Sequence, residues 1–222
     1  MNNTRIIMKI KRSELPFFLT WFIFVFFSII CYETEFKYTY DLSILNKCFP
    51  VIIRIFLMAI ILKSKIVVDK LPIIVASGAI VFLSALFSRS TVFIWIFLFA
   101  LAFGNIEFDR FIKFDFTIRL GILLFIWMMC AMGFIENYKI VISGVPKQGL
   151  GFAHPNTLGI YVVALAVEYI YIFFERLNIK SYMMLIFVWI FLFNVGTSRT
   201  GIILLAFIII LSIISKKSNG QQ

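Results

Sequence analysis

Long apolar runs, separated by short polar or charged stretches, occupy most of the chain. We identify eight of them, at residues 15–32, 43–62, 71–87, 91–103, 117–135, 156–174, 182–195 and 200–214. A helix needs roughly 20 apolar residues to cross a bilayer, so the shorter runs must use flanking residues, tilt or lie deep in a bundle. The pattern predicts an all-α polytopic transmembrane helix bundle of about eight spans, forming one membrane domain over 1–222. For runs 91–103 and 182–195, a re-entrant hairpin is the alternative.

Composition supports a lipid environment. The 222 residues are 62% hydrophobic with a mean hydropathy of +1.03, whereas soluble domains are about 45–50% apolar. The first run has a basic N-terminal flank but lacks a small-residue cleavage site, so we interpret it as a retained helix and not a signal peptide. The protein is therefore expected in the plasma membrane as a multi-pass chain.

The net charge of +10 comes mostly from basic clusters between the apolar runs. This distribution follows the positive-inside rule, so it indicates membrane orientation and gives no reason to expect nucleic acid as a partner. With both termini in the cytosol, 14 Lys and Arg residues fall in inner segments and 6 in outer ones, with Arg54 inside the second run. We therefore predict an N-in/C-in topology.

The main outer loop, 136–155, leads into the stretch "QGLGFAHPNTLG" and holds the only histidine of the chain, His154. Three glycines and two prolines in this loop predict a folded turn structure. Pro155 suits the first turn of a helix, and Asn156 or Thr157 is the expected N-cap. A helix N-terminus that presents amide donors beside an imidazole is a favourable place for an anion.

Two motifs of the chain, "GFAHPNTLG" and "TSRTG", lie on the predicted outer side, one helical hairpin apart. Together they resemble the O-antigen polymerase and ligase superfamily of bacterial membrane glycosyltransferases, and most closely its capsular and exopolysaccharide repeat-unit polymerases. The residues that carry the resemblance are Gly151, Phe152, His154, Pro155, Asn156 and Gly159, then Thr197, Ser198, Arg199 and Thr200. The many short aromatic-rich helices are also similar.

The resemblance implies a polysaccharide polymerase that joins polyprenyl-diphosphate-linked oligosaccharide repeat units, without a metal or other cofactor. The chain shows no metal-ligand spacing. The substrate and the lipid bilayer are then its partners, with other polysaccharide-assembly membrane proteins as possible ones. Members of the superfamily carry more helices after the second motif, so we expect a truncated member. The alternatives are an O-antigen-type ligase, a non-enzymatic lipid-linked glycan transporter or flippase, and an inactive remnant.

The chemistry of such a reaction suggests roles for individual residues. Guanidinium groups match phosphate oxygens, so Arg199 with Ser198, helped by Arg89 or Lys147, is the expected diphosphate-binding group. His154 is the candidate base or acceptor-orienting group. Asn156 is expected to hydrogen-bond sugar or phosphate. The structural alternatives are a capping role for His154 and headgroup anchoring for Arg199.

Charged residues elsewhere lead to three further expectations. Arg54 and Glu168 lie at similar depths in their helices, which predicts a structural ion pair because unpaired charges in a membrane are costly. The outer acidic cluster of Glu33, Glu35 and Asp41 is expected to be a solvated face, with cation binding as the alternative. The inner stretch "IEFDRFIKFDFTIR" predicts an interfacial helix lying on the cytoplasmic surface.

Overall fold

The computed structural model describes residues 11–64, 71–88, 91–104, 106–142, 144–196 and 199–219. Within these ranges the chain is helical apart from one short hairpin. The helices are α1 Leu15–Ser28, α2 Phe36–Thr39, α3 Ser43–Lys63, α4 Leu71–Ser88, α5 Val92–Phe103, α6 Phe108–Ala131, α7 Pro155–Phe173, α8 Ile179–Val195 and α9 Arg199–Asn219. A π-helical turn, Ile29–Glu33, extends α1, and a 3₁₀ turn, Phe174–Arg176, extends α7.

Each predicted apolar run overlaps one helix of the structure. Among the described residues, six helices are long and apolar enough to cross a membrane, counting α1 and α7 with their extensions. Helices α5 and α8, with 12 and 17 residues, are shorter. The chain is therefore a multi-pass membrane protein with a helical architecture, while the count of eight spans and the orientation stay predictions.

The fifth helix differs from its prediction in both position and length. Helix α6 begins at Phe108 and ends at Ala131, so it takes in most of the stretch expected as an interfacial helix. The predicted break near Thr117 is absent because the charged residues there pair within the helix: the Arg119 Nε atom lies 2.8 Å from Asp115 Oδ2, one turn away. The helix therefore does not keep the predicted boundaries 117–135, and it includes the stretch expected on the cytoplasmic surface from Phe108 onward.

The chain divides into two compact units. Unit 1 comprises Met1–Phe24 and Ile44–Arg110. Aromatic rings from α1 and α5 form its core, with Trp21 and Phe24 each 4.7–4.8 Å from Phe99 between ring centroids. At the start of α1, the buried carboxylate of Glu14 lies 2.5 Å from Arg110 Nη1. This pair holds the beginnings of α1 and α6 at the same end of unit 1.

Unit 2 comprises Val25–Ser43 and Phe111–Gln222. Helix α9 packs against α7 and α8. The Trp189 Nε1 atom donates to the carbonyl of Ile202 at 3.0 Å, which joins α8 to α9. Near the other end of α9, Lys216 Nζ donates to the carbonyl of Leu177 and lies 3.4 Å from those of Phe174 and Glu175. The ammonium group of Lys216 thus satisfies carbonyl groups of the 3₁₀ turn that extends α7 and of the residue that follows this turn.

Replacing Lys216 with methionine tests this contact. Lys216→Met is expected to lower the free energy of unfolding by about 1–2 kcal/mol, because it removes a charge from the negative end of a helix and leaves carbonyls unpaired. Thermal unfolding in detergent measures the loss. Lys217→Met is the matched control, since Lys217 is exposed. Equal stability of the two variants would contradict the assignment.

Candidate functional site

The loop between α6 and α7 is a folded structure, as its glycines and prolines predicted. Strands β1 Lys139–Ile142 and β2 Val145–Gln148 pair antiparallel, with Ile140 opposite Lys147. Beyond the hairpin, Asn137 Oδ1 accepts from the Leu150 amide at 2.9 Å. Gly151 adopts φ +88°, and a Cβ there would lie 2.8 Å from Ile126 Cγ2. Only glycine fits this position, because both the left-handed backbone and the contact with α6 exclude a side chain.

Backbone hydrogen bonds join this loop to the segment that follows α1. The Glu35 amide donates to the Gly151 carbonyl and the Ala153 amide donates to the Glu33 carbonyl, each at 3.0 Å. Between them, Thr34 and Phe152 form an antiparallel bridge, and both side chains are fully buried. The ends of α1 and α6 and the beginning of α7 therefore meet at one end of unit 2.

His154 is the N-cap of α7. Its Nδ1 atom accepts from the Asn156 amide at 3.1 Å, and Pro155 follows at the first helical position. The expectation that Asn156 or Thr157 provides the cap was wrong, since the residue before Pro155 has the extended backbone of a cap. The imidazole lies beside Tyr138, with 6.5 Å between ring centroids, and the Asn156 side chain is exposed. Its capping bond leaves Nε2 as the ring atom that carries the proton in the neutral form.

The turn between α8 and α9 packs on the hairpin. Gly196 ends α8 with φ +70°, and a Cβ there would lie 2.6 Å from the Pro146 carbonyl oxygen and 3.2 Å from Lys147 Cγ. Helix α9 begins three residues later at Arg199, which is exposed and forms no ion pair with the residues that the structure describes. Lys147 and the start of Arg199's helix thus belong to the same end of unit 2 as His154. Arg89 and Ser198 lie outside the described residues.

A cluster of charges lies within the helices of unit 2. The Arg119 Nε atom lies 2.8 Å from Asp115 Oδ2 and 3.5 Å from Glu168 Oε1, so one guanidinium bridges α6 and α7. The Tyr161 hydroxyl donates to the Arg119 carbonyl at 3.0 Å. The three charged side chains are 6%, 12% and 24% exposed for Asp115, Glu168 and Arg119. Two carboxylates share one guanidinium here, away from bulk water.

Arg54 and Glu168, which the sequence predicted to pair, belong to different units. Within unit 2 the cation beside Glu168 is Arg119, because α6 continues through its charged residues. In unit 1, Arg54 lies over the Trp95 ring at 5.0 Å, a cation–π contact. Its Nε atom is buried without a hydrogen-bond partner among the described residues. Each member of the predicted pair therefore has a partner inside its own unit.

The outer acidic cluster is only partly a solvated face. Glu33 and Asp41 are exposed, but Glu35 is 6% exposed and its Oε1 atom has no hydrogen-bond partner among the described residues. For Glu35 the expectation of a solvated carboxylate was wrong. Its backbone pairs with Gly151, and this contact holds Glu35 against the loop, where it is buried. Glu35 is one of the residues that line a cavity of about 310 Å³. Burial has the largest effect on the pKa of the Glu35 carboxyl group and raises it. The charge of Lys37 lowers this pKa, and the charge of Glu136 raises it.

Sequence reasoning missed Glu35 as a buried group, and Asp115 and Arg119 as members of a buried ionic cluster. The spacing of Asp115 and Arg119, four residues apart in one helix, was the available signal for the second. Comparison of the chain with protein-family models, with curated proteins and with solved structures finds no match. Any function of this site therefore has to be argued from its own residues.

Removal of the shared guanidinium tests the buried cluster. Arg119→Met is expected to cost about 3–5 kcal/mol of stability, since it leaves two carboxylates buried without their cation. Adding Asp115→Asn and Glu168→Gln removes those charges and should recover most of the loss. Thermal unfolding in detergent and the amount of folded protein measure both effects. Recovery of an Arg54→Met variant by Glu168→Gln, with Arg119→Met itself harmless, would instead support the pair predicted from sequence.

Proposed function

We propose that the protein is a plasma-membrane glycosyltransferase that polymerises polyprenyl-diphosphate-linked oligosaccharide repeat units outside the cytoplasm. It has eight spans with both termini in the cytosol. The observation that supports this function best is the packing of the α8–α9 turn on Lys147 through Gly196. It brings the helix that begins at Arg199 to the loop that holds His154, as the two motifs of the sequence require.

The charges at this end of unit 2 suit a lipid diphosphate. Arg199 offers a planar pair of donors for phosphate oxygens and Lys147 a compact positive charge. Asn156 is exposed in the first turn of α7, where the positive end of the helix favours an anion. When the sugar leaves its carrier, negative charge grows on the diphosphate, and fixed cations that are already in place stabilise it. Ser198 and Arg89, which the sequence also suggested as diphosphate-binding groups, lie outside the described residues and stay predictions.

The cap at His154 refines its proposed role. An imidazole whose Nδ1 lone pair accepts the Asn156 amide presents an N–H group at Nε2 when neutral. Such a group donates a hydrogen bond and does not remove a proton. Of the two roles predicted from sequence, orienting a sugar or phosphate oxygen therefore fits this geometry better than general-base catalysis.

A transporter for lipid-linked glycans is the second candidate, and the buried cluster favours it. Ionisable groups inside a membrane commonly mark a pathway for ions, protons or substrates. Asp115, Arg119 and Glu168 carry one more negative than positive charge when all are ionised, so the cluster has a ready site for a cation or proton. In this case the cluster is essential for transport and His154 is dispensable.

Deletion of the gene separates these functions. Loss of a polymerase leaves single repeat units at the cell surface where the wild type has long chains, whereas loss of a transporter leaves no surface glycan of this type. Gel analysis of surface glycan gives the chain length.

Arg199→Ala and Lys147→Ala are expected to shorten chains at least tenfold in number of repeats. Lys139→Ala is the control, because Lys139 lies on the opposite face of the hairpin from Lys147. Unchanged glycan after deletion would exclude both functions.

His154→Asn separates capping from substrate contact. Asparagine is a good N-cap, so this variant keeps the start of α7, while His154→Ala removes the cap at a cost of about 1 kcal/mol. Both variants are expected to give short glycan chains, because neither retains the imidazole N–H. The measurement is complementation of the deletion strain with protein amounts checked. Full chain length with His154→Asn, and a defect only with His154→Ala, would show that His154 acts as a cap alone.

A further inference from the structure

The cavity beside the loop contains an acidic group that the proposed reaction has not yet used. Its walls are Glu35, Tyr38 and Thr39 from the α2 segment, and residues 133–136 from the end of α6. Its volume of about 310 Å³ is at the lower limit of small-molecule pockets. One sugar ring, rather than a long oligosaccharide, matches a pocket of that size.

Glu35 is the unusual group in this wall. It is 6% exposed, and its Oε1 atom has no hydrogen-bond partner among the described residues. A buried carboxylate oxygen without a hydrogen-bond partner costs stability, so such a group points to a role other than folding. The neighbouring charges are Lys37, whose Nζ donates to the Tyr32 carbonyl at 3.0 Å, and Glu136, which is exposed at the cavity. Neither forms an ion pair with Glu35 in the described part of the chain.

The position of Glu35 relative to the loop connects it to the reaction. Its amide donates to Gly151, and the Ala153 amide donates to Glu33, so Glu35 is fixed next to the segment that ends in His154. Since His154 donates through Nε2, the reaction still lacks a group that takes a proton. Glu35 is the buried carboxylate that the structure offers at this end of unit 2.

We propose that the cavity binds the terminal sugar of the acceptor glycan and that Glu35 is the general base of the transfer. This inference rests on the proposed polymerase function. The acceptor hydroxyl gives its proton to the Glu35 carboxylate while its oxygen forms a bond to the anomeric carbon of the donor sugar. The bond from that carbon to the diphosphate oxygen breaks, and the diphosphate leaves with the electron pair. Tyr38, which is 72% exposed, offers a ring face for the sugar.

Burial makes this carboxylate a stronger base than a solvated one. Because desolvation raises the pKa of Glu35 more than Lys37 lowers it, the group holds a proton to higher pH than an ordinary glutamate. Activity therefore rises with pH through that raised pKa, and falls when acid protonates Glu35. The titration of Glu35 thus causes the loss of activity at low pH. The charges of Lys37 and Glu136 set the pH at which this loss occurs.

The test compares Glu35→Gln with Glu33→Gln. Glu33 lies two residues away, is exposed and contacts the loop through its backbone carbonyl alone, so it is the matched control. Purified protein in lipid vesicles is supplied with the lipid-linked single repeat units that accumulate in the deletion strain. Glu35→Gln is expected to lower kcat about 10²–10⁴-fold and to abolish the acidic limb of the pH profile. Glu33→Gln keeps both the rate and the limb.

The outcomes separate this inference from the function on which it rests. If deletion leaves surface glycan unchanged, the polymerase function itself is wrong. If deletion gives single repeat units but Glu35→Gln polymerises them at the wild-type rate, the function stands and the base assignment is wrong. A loss of rate with an unchanged acidic limb also overturns the assignment, because a merely structural role would have that effect. Glu35→Gln is expected to fold, since an amide costs less to bury than an unpaired carboxylate.

Discussion

The backbone pairing between the end of α1 and the loop before α7 is the constraint on which the candidate site depends. Chain that leaves a helix near a bilayer has little water to satisfy its amide and carbonyl groups, so it must pair with other chain. Here the segment 33–35 and the segment 151–153 satisfy each other, with Thr34 and Phe152 buried between them. This contact positions two groups at once. It places Glu35 in the wall of the cavity, and it fixes the position at which α7 begins.

The charged cluster inside unit 2 also helps to fix the position of the loop between α6 and α7. Arg119 on α6 and Glu168 on α7 join the two helices that hold the ends of the loop. An ion pair in a low-dielectric interior gains little net stability over apolar packing, but its geometry is demanding, so it favours one relative position of the helices. Gly196 acts similarly at the hairpin, since any larger residue would displace Lys147. The loop is therefore held by specific contacts on both sides.

Local patterns predicted the parts of this structure that local forces determine. Apolar runs gave the helices, and Pro155 marked the start of α7, because burial in lipid and proline geometry act over a few residues. The pattern does not predict the full extent of α6, because the charges at its start resemble a surface feature, although the spacing of Asp115 and Arg119 suits a helix. The burial of Glu35 had no local signal at all. It follows from pairing with Gly151, far along the chain, and a short hydrophilic stretch with three carboxylates looks solvated by itself.

The separation of charges at this end of unit 2 suits the glycosyl transfer that we propose. In a displacement at an anomeric carbon, the attacking and leaving oxygens lie on opposite faces of the sugar ring, so the base and the cations must act from different places. Lys147 belongs to the hairpin and Arg199 to α9, whereas Glu35 and Glu136 line the cavity between the α2 segment and the end of α6. A carboxylate among the cations would neutralise them and repel the diphosphate, whereas burial raises the pKa of Glu35 more than the neighbouring Lys37 lowers it. Keeping the two sets on separate segments lets each retain the charge that its half of the proposed reaction requires.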